Sequence, residues 1–178
     1  MNKARFKQGT KTMMKNIVLF FGFISLIVFY SSSAFSDSII LSPCDFNQAQ
    51  DDNDYLLDLE SLYVKSGSST SHFYAPVHLP QNAQVTSVVL FYKDNHSSGN
   101  IQIKLLKINA YTEAEVEMAE FTSSGSSSER QTHKITPITG GYRINNTGYV
   151  YNCYLNFTDS SADDAVKVFL IKINYVTS

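Results

Sequence analysis

The chain of 178 residues contains no tryptophan, two cysteines and four prolines. Two cysteines exclude a disulfide-dense scaffold and a zinc site of the Cys-rich kind. No Gly-x-Ser-x-Gly elbow and no ordered Ser, His and Asp set is present, so nothing marks a nucleophilic hydrolase. The four histidines, His72, His78, His96 and His133, are scattered and make neither a His-x-x-x-His helix face nor a zinc-spaced set. No stretch has a convincing helical period, and no internal repeat is visible.

Basic charge is also scarce once the N-terminus is set aside. Lys3, Arg5, Lys7, Lys11 and Lys15 precede an apolar run from Ile17 to Tyr30, and small residues follow around Ala34-Phe35-Ser36. A basic flank, an apolar core and a small-residue exit describe a secretory signal peptide. The core is 14 residues, short of the roughly 20 that a spanning helix needs. The expected organisation is a signal peptide over 1–36 and one domain over 37–178, secreted, periplasmic or on the cell surface. An uncleaved N-terminal anchor would leave the same domain outside the membrane. Residues 1–36 hold five of the 14 basic residues and none of the 16 acidic ones, so the remaining 142 residues carry a net charge of −7. An acidic domain has no electrostatic footprint for nucleic acid or anionic lipid. Its partners are expected to be neutral, cationic or a metal ion, with a glycan or protein ligand foremost and an oligomer as a further option.

The segment Phe73–Asn95 carries the clearest strand grammar. Two apolar runs, Phe73 to Leu79 and Val85 to Tyr92, are separated by Pro80-Gln81-Asn82-Ala83 and closed by Asp94-Asn95. Proline and asparagine end strands and open turns. Val85 to Tyr92 is apolar at both parities, the mark of a strand covered on both sides and central in its sheet. Pro76 cannot donate to a ladder and demotes the first run to an edge, bulge or strand entry. Ile101 to Ile108 alternates and is expected to pair with its predecessor as a hairpin. Ala114, Val116 and Met118 alternate with Glu115 and Glu117, a strand with one acidic wet face. Asp45 to Asp54 reads as a loop, Leu59 to Val64 as a strand, and Ser123 to Glu129 as a low-complexity loop. In the run from Tyr149 to Phe157, Tyr149, Tyr151, Cys153, Leu155 and Phe157 share the inner parity. Val166 to Val176 is apolar on both sides near its centre. Eight or nine short strands with turns between them predict an all-β fold: an antiparallel β-sandwich, jelly-roll-like, in one domain.

The segments YAPVHLPQNAQVTSVVLFYKDN, GYRINNTGYVYNCYLNF and VKVFLIKINYV resemble those of small secreted bacterial β-sandwich proteins, mostly uncharacterised. The likeness covers about residues 73–178. It implies an exported sandwich and carries no catalytic motif.

Several side chains are candidates for function. Cys44 and Cys153 are expected to form one disulfide in an exported protein, which would contribute about 4 to 5 kcal/mol by closing so long a loop. Asp51, Asp52, Asp54, Asp163 and Asp164 offer closely spaced oxygens of the type calcium takes, although the spacing matches no calcium loop. No other cofactor is indicated. Ten tyrosines follow the signal segment, and Tyr has a flat apolar face with a polar rim suited to stacking. Tyr154 lies on the parity opposite Cys153 and is the ligand-facing candidate, and Asp94 and Asn95 are further candidates for ligand binding. Glu115 and Glu117 point to one side as a solvated pair. The expected function is a non-enzymatic binding or surface-interaction module. The alternatives are a structural subunit of an envelope or extracellular assembly, built through sheet edges, and a small secreted hydrolase.

Overall fold

The computed structural model describes residues 35–49, 55–58, 60–64, 71–125, 127–139, 143–158 and 165–177. Among them run eleven strands: β1 (Phe35–Leu41), β2 (Asn47–Gln48), β3 (Tyr55–Leu57), β4 (Leu62–Val64), β5 (Ser71–Pro76), β6 (Gln84–Asp94), β7 (Ile101–Asn109), β8 (Glu115–Thr122), β9 (Ser127–Ile135), β10 (Tyr149–Phe157) and β11 (Val166–Thr177). Six form one sheet in the order β3-β4-β11-β6-β9, with β1 also on β11, and five form the other in the order β2-β5-β10-β7-β8. All pairings are antiparallel. The chain is an antiparallel β-sandwich, as its turn spacing predicts.

The core lies between the sheets. Leu90, Ile171 and Ile173 enter from the six-stranded sheet, and Phe73, Ile101, Ile103, Leu155 and Phe157 from the five-stranded one, each almost fully buried. Each such side chain contributes about 1.5 to 3 kcal/mol relative to exposure. The ring of Phe73 meets that of Phe157 edge-on at 5.9 Å. β6 and β11 are central and adjacent, sharing a register from Val166–Asp94 to Val176–Gln84. Val89 and Phe91, on the outer side of β6, are half-buried, covered laterally by their strand neighbours.

Four local expectations need correction. β7 does not form a hairpin with β6. The intervening turn carries the chain into the opposite sheet, where β7 lies between β10 and β8. The agent is Asp94, which is buried rather than exposed: its Oδ1 accepts the His96 N–H at 3.3 Å and its Oδ2 accepts the Ser123 hydroxyl at 2.6 Å. Ser123 Oγ in turn accepts the Ile101 N–H at 2.8 Å, so one carboxylate ties the end of β6 to the start of β7. The polar segments expected as loops hold strand backbone: β2 lies in Asp45–Asp54, and Ser127 to Glu129 belong to β9. Backbone pairing needs only N–H and C=O groups, and edge strands carry polar side chains freely. Val116 is exposed rather than inward, because a bulge opposite Leu105/Leu106 breaks the alternation of β8. Finally, the expected disulfide is absent. Cys44 is an exposed free thiol in the short 3₁₀ turn Pro43–Asp45, and Cys153 is a buried free thiol inside β10. Burial pushes the Cys153 thiol well up.

β1 begins at Phe35, which pairs with Thr177, so a cut after Ser36 would shorten this strand by two residues.

Two outcomes follow from this architecture. Asp94→Ala and Ser123→Ala each lower stability by about 2 kcal/mol, and the double variant costs less than their sum, because both remove the same buried bond; chemical denaturation measures the cycle. In the native protein a thiol reagent labels Cys44 alone, and Cys153 reacts only on unfolding. Mass spectrometry that finds no labelling after unfolding without reductant would contradict the free-thiol state.

Candidate functional site

The outer face of the five-stranded sheet is built by alternation. In β10, Cys153, Leu155 and Phe157 point into the core, so Asn152, Tyr154 and Asn156 point out. The register then sets three rows across the strands. Tyr154 stands between Tyr74 of β5 and Lys104 of β7, Asn156 between His72 and Gln102, and Asn152 between Pro76 and Leu106.

The middle row carries the aromatic surface. The rings of Tyr74 and Tyr154 lie 5.1 Å apart at 52°, and the His72 ring is near-parallel to Tyr154 at 5.6 Å. His72 Nδ1 and the Tyr154 hydroxyl share a hydrogen bond, which fixes the orientation of both rings. Beside them, Lys104 Nζ donates to Glu117 Oε1 at 3.0 Å and sits 3.4 Å from Glu120 Oε1. Gln102 Nε2 donates to the same Glu120 oxygen at 2.8 Å. Asn156 Oδ1 is a buried acceptor with no hydrogen-bond partner. Tyr74, Tyr154, Gln102, Lys104 and Glu117, with Glu115 and Leu106, line an open hollow of about 530 Å³.

Burial and pairing set the charge state of this face. Burial, and then Tyr74, push the Tyr154 phenol above its ordinary value, and burial and Glu115 do the same to Tyr74. Both phenols are therefore neutral hydroxyls at physiological pH. The hydrogen bond to Glu117 holds Lys104 above its usual range, and the same bond holds Glu117 below the usual carboxylate range. A general acid for glycoside cleavage needs the opposite shift, so Glu117 is a fixed hydrogen-bond acceptor. Flat rings with adjacent amide, ammonium, carboxylate and hydroxyl groups suit a ligand with apolar faces and hydroxyl edges.

Of the residues singled out in the sequence, Tyr154 is at the centre of this face, and Glu115 and Glu117 line it. Asp94 is elsewhere, buried beneath the turn, and Asn95 is an exposed turn residue whose N–H donates to Ala165 O at 2.9 Å. Asp51, Asp52, Asp54, Asp163 and Asp164 lie outside the described residues. Among the described residues no group of three or more His, Cys, Asp or Glu side chains could hold a metal. Sequence reasoning missed Tyr74, His72, Gln102 and Lys104. Their parities were visible, but the pairing that sets them beside Tyr154 was not.

Because the Lys104–Glu117 pair is largely solvated, Glu117→Gln changes stability by less than about 1 kcal/mol. The folded-state shift of Glu117 is downward, so its small contribution is present above the unfolded carboxylate value and is lost as pH falls through the folded one. A carboxyl-detected NMR titration with Glu117 at or above the ordinary glutamate value would contradict the pairing.

No protein-family model matches the chain, and no curated protein matches it in sequence. Among solved structures it is similar to the low-affinity xylan-binding module CBM86 from Roseburia intestinalis, at 16% identity over 77% of this chain and 94% of that one, with a TM-score of 0.43. It is similar to a family 29 carbohydrate binding module from Piromyces equi, at 13% identity over 82% of this chain and 92% of that one, with a TM-score of 0.43. A third is the CBM22-1 and GH10 portion of endo-1,4-β-D-xylanase 10B from Clostridium thermocellum, at 11% identity and a TM-score of 0.46, covering 82% of this chain and 28% of that one. The side chains of the site, not these likenesses, carry the functional reading.

Proposed function

We propose that this chain is an exported, non-catalytic carbohydrate-binding module that holds a neutral glycan on the outer face of its five-stranded sheet. The observation that carries the reading is the Tyr74/Tyr154 pair, with centroids 5.1 Å apart, next to Gln102 and the Lys104/Glu117/Glu120 network. The C–H face of a sugar ring packs on an aromatic face, while its hydroxyls exchange hydrogen bonds with the polar rim. Three carboxylates against one ammonium disfavour acidic polymers. The open, shallow form of the hollow favours modest affinity, since a ligand there stays partly solvated. The basic and then apolar run over residues 3–30 supports export.

A second reading, a subunit of an extracellular assembly, draws on β3. This strand ends the six-stranded sheet, and Tyr55, Leu56 and Leu57 are exposed along it. A concentration-dependent oligomer that Leu57→Lys dissolves would favour it.

Affinity electrophoresis in gels containing xylan, a soluble cellulose derivative, mannan or polygalacturonate tests the first reading. Retardation is expected in at least one neutral gel and not in polygalacturonate. Tyr154→Ala and Tyr74→Ala should each weaken it about tenfold or more, equivalent to about 1.4 kcal/mol, with the circular dichroism spectrum preserved. No retardation in any neutral glycan, or retardation indifferent to both substitutions, would overturn the proposal.

A further inference from the structure

A second hollow, of about 880 Å³, opens at the end of the same sheet where β5 leaves it. Pro76, Asn152 and Val150 line it from the outer face, His78, Asn146 and Tyr149 lie beside them, and the core residues Tyr151 and Tyr175 line it from between the sheets. Among the described residues that line it, none is Asp, Glu, Lys or Arg.

The two hollows share a cross-strand row. Asn152 pairs with Pro76 on one side and with Leu106 on the other. Leu106 borders the first hollow, whereas Pro76 and Asn152 border the second. Along β10, Tyr154, Asn152 and Val150 alternate onto one outer face, so the track from the tyrosine pair to Val150 runs about 13 Å at the usual strand rise. Its far end is also fixed. The Val77 N–H donates to Tyr151 O at 2.8 Å, Asn146 Nδ2 donates to Leu79 O at 2.9 Å, and the Asn146 N–H donates to Gln81 Oε1 at 2.7 Å. These bonds hold the segment after β5 against the start of β10, so the second hollow exists before any ligand arrives. Lys107 lies over the Tyr149 ring, 4.2 Å from its centroid, and orients it.

We infer that the two hollows form one extended site for a linear neutral polysaccharide, which lies along β10 with one part of the chain on Tyr74/Tyr154 and the continuing part in the cleft beside Val150 and His78. This rests on the glycan-binding reading above and deepens it. It names the ligand as an unbranched chain longer than a disaccharide, bound along the strands and not across them. Apart from Lys107 over the Tyr149 ring, the cleft presents apolar, aromatic, amide and imidazole side chains, which suit a neutral polymer, and a track open at both hollows admits internal segments of a long chain as well as its ends.

The test is isothermal titration with xylo-oligosaccharide and cello-oligosaccharide series from disaccharide to hexasaccharide. In at least one series, affinity should rise about tenfold from disaccharide to hexasaccharide. His78→Ala and Val150→Asp alter exposed side chains and should leave disaccharide binding unchanged, while removing most of the gain for the hexasaccharide. Tyr154→Ala should weaken both. Affinity that levels off at the disaccharide, or a hexasaccharide gain that both cleft variants keep, overturns the extended site and leaves the tyrosine platform standing. Absence of binding in both series overturns the extended site for these chains, and the glycan-binding reading itself then stands or falls on the gel experiment with the wider polysaccharide set.

Discussion

The register of β10 between β5 and β7 is the constraint on which the rest of this structure depends. Nine consecutive residues of β10 pair with β7, from Tyr149–Asn109 to Phe157–Ile101, and six pair with β5. Side chains alternate with a period of two, so a slip of one residue would turn Cys153, Leu155 and Phe157 to solvent and drive Tyr154 inward. The core therefore sets which side chains form the proposed binding face. Burial of Phe73 and Phe157 on one side of the sheet positions Tyr74 and Tyr154 on the other, and no loop is needed to present them.

The same logic explains why the site is pre-formed. Its aromatic and polar side chains stand on strands whose inner faces are packed, and they are braced laterally by the His72–Tyr154 and Lys104–Glu117 bonds. Rigid rings lose little conformational entropy on binding compared with long flexible side chains. The two sheets are in turn stapled at one end by the Asp94–Ser123 bond, and Ser123 holds the Ile101 N–H at the start of β7. A buried carboxylate that looks like chemistry in the sequence is here an element of topology.

How much of this was legible beforehand depends on the range of the interactions involved. Strand existence followed from local pattern: Val85 to Tyr92, Tyr149 to Phe157 and Val166 to Val176 show alternation or two-sided burial within a few residues. The inward set of β10 was readable for the same reason, and it singled out Tyr154. Pairing was not readable. The turn Asp94 to Asn100 has the composition of a hairpin, yet the buried hydrogen bonds of Asp94 redirect it, and their partner Ser123 is 29 positions away. Tyr74 and Lys104 became site residues only through long-range register. β2 and the first residues of β9 carry no apolar signature, because short edge strands are held by backbone bonds. The thiol pairing failed because economy of cysteine use says nothing about which way each side chain points, and Cys153 points into the core.

The ligand is proposed to lie on the outer face of the five-stranded sheet and in the adjoining cleft beside Val150 and His78, and not on the outer face of the six-stranded sheet. Amide NMR mapping during titration with a soluble neutral xylan or glucan tests this most directly. Shift changes are expected to concentrate at His72, Tyr74, Gln102, Lys104, Asn152 and Tyr154, with the outer face of β6 and β11, including Val89 and Lys172, unmoved. Changes centred on β6, β9 and β11, with Tyr74 and Tyr154 silent, would contradict it.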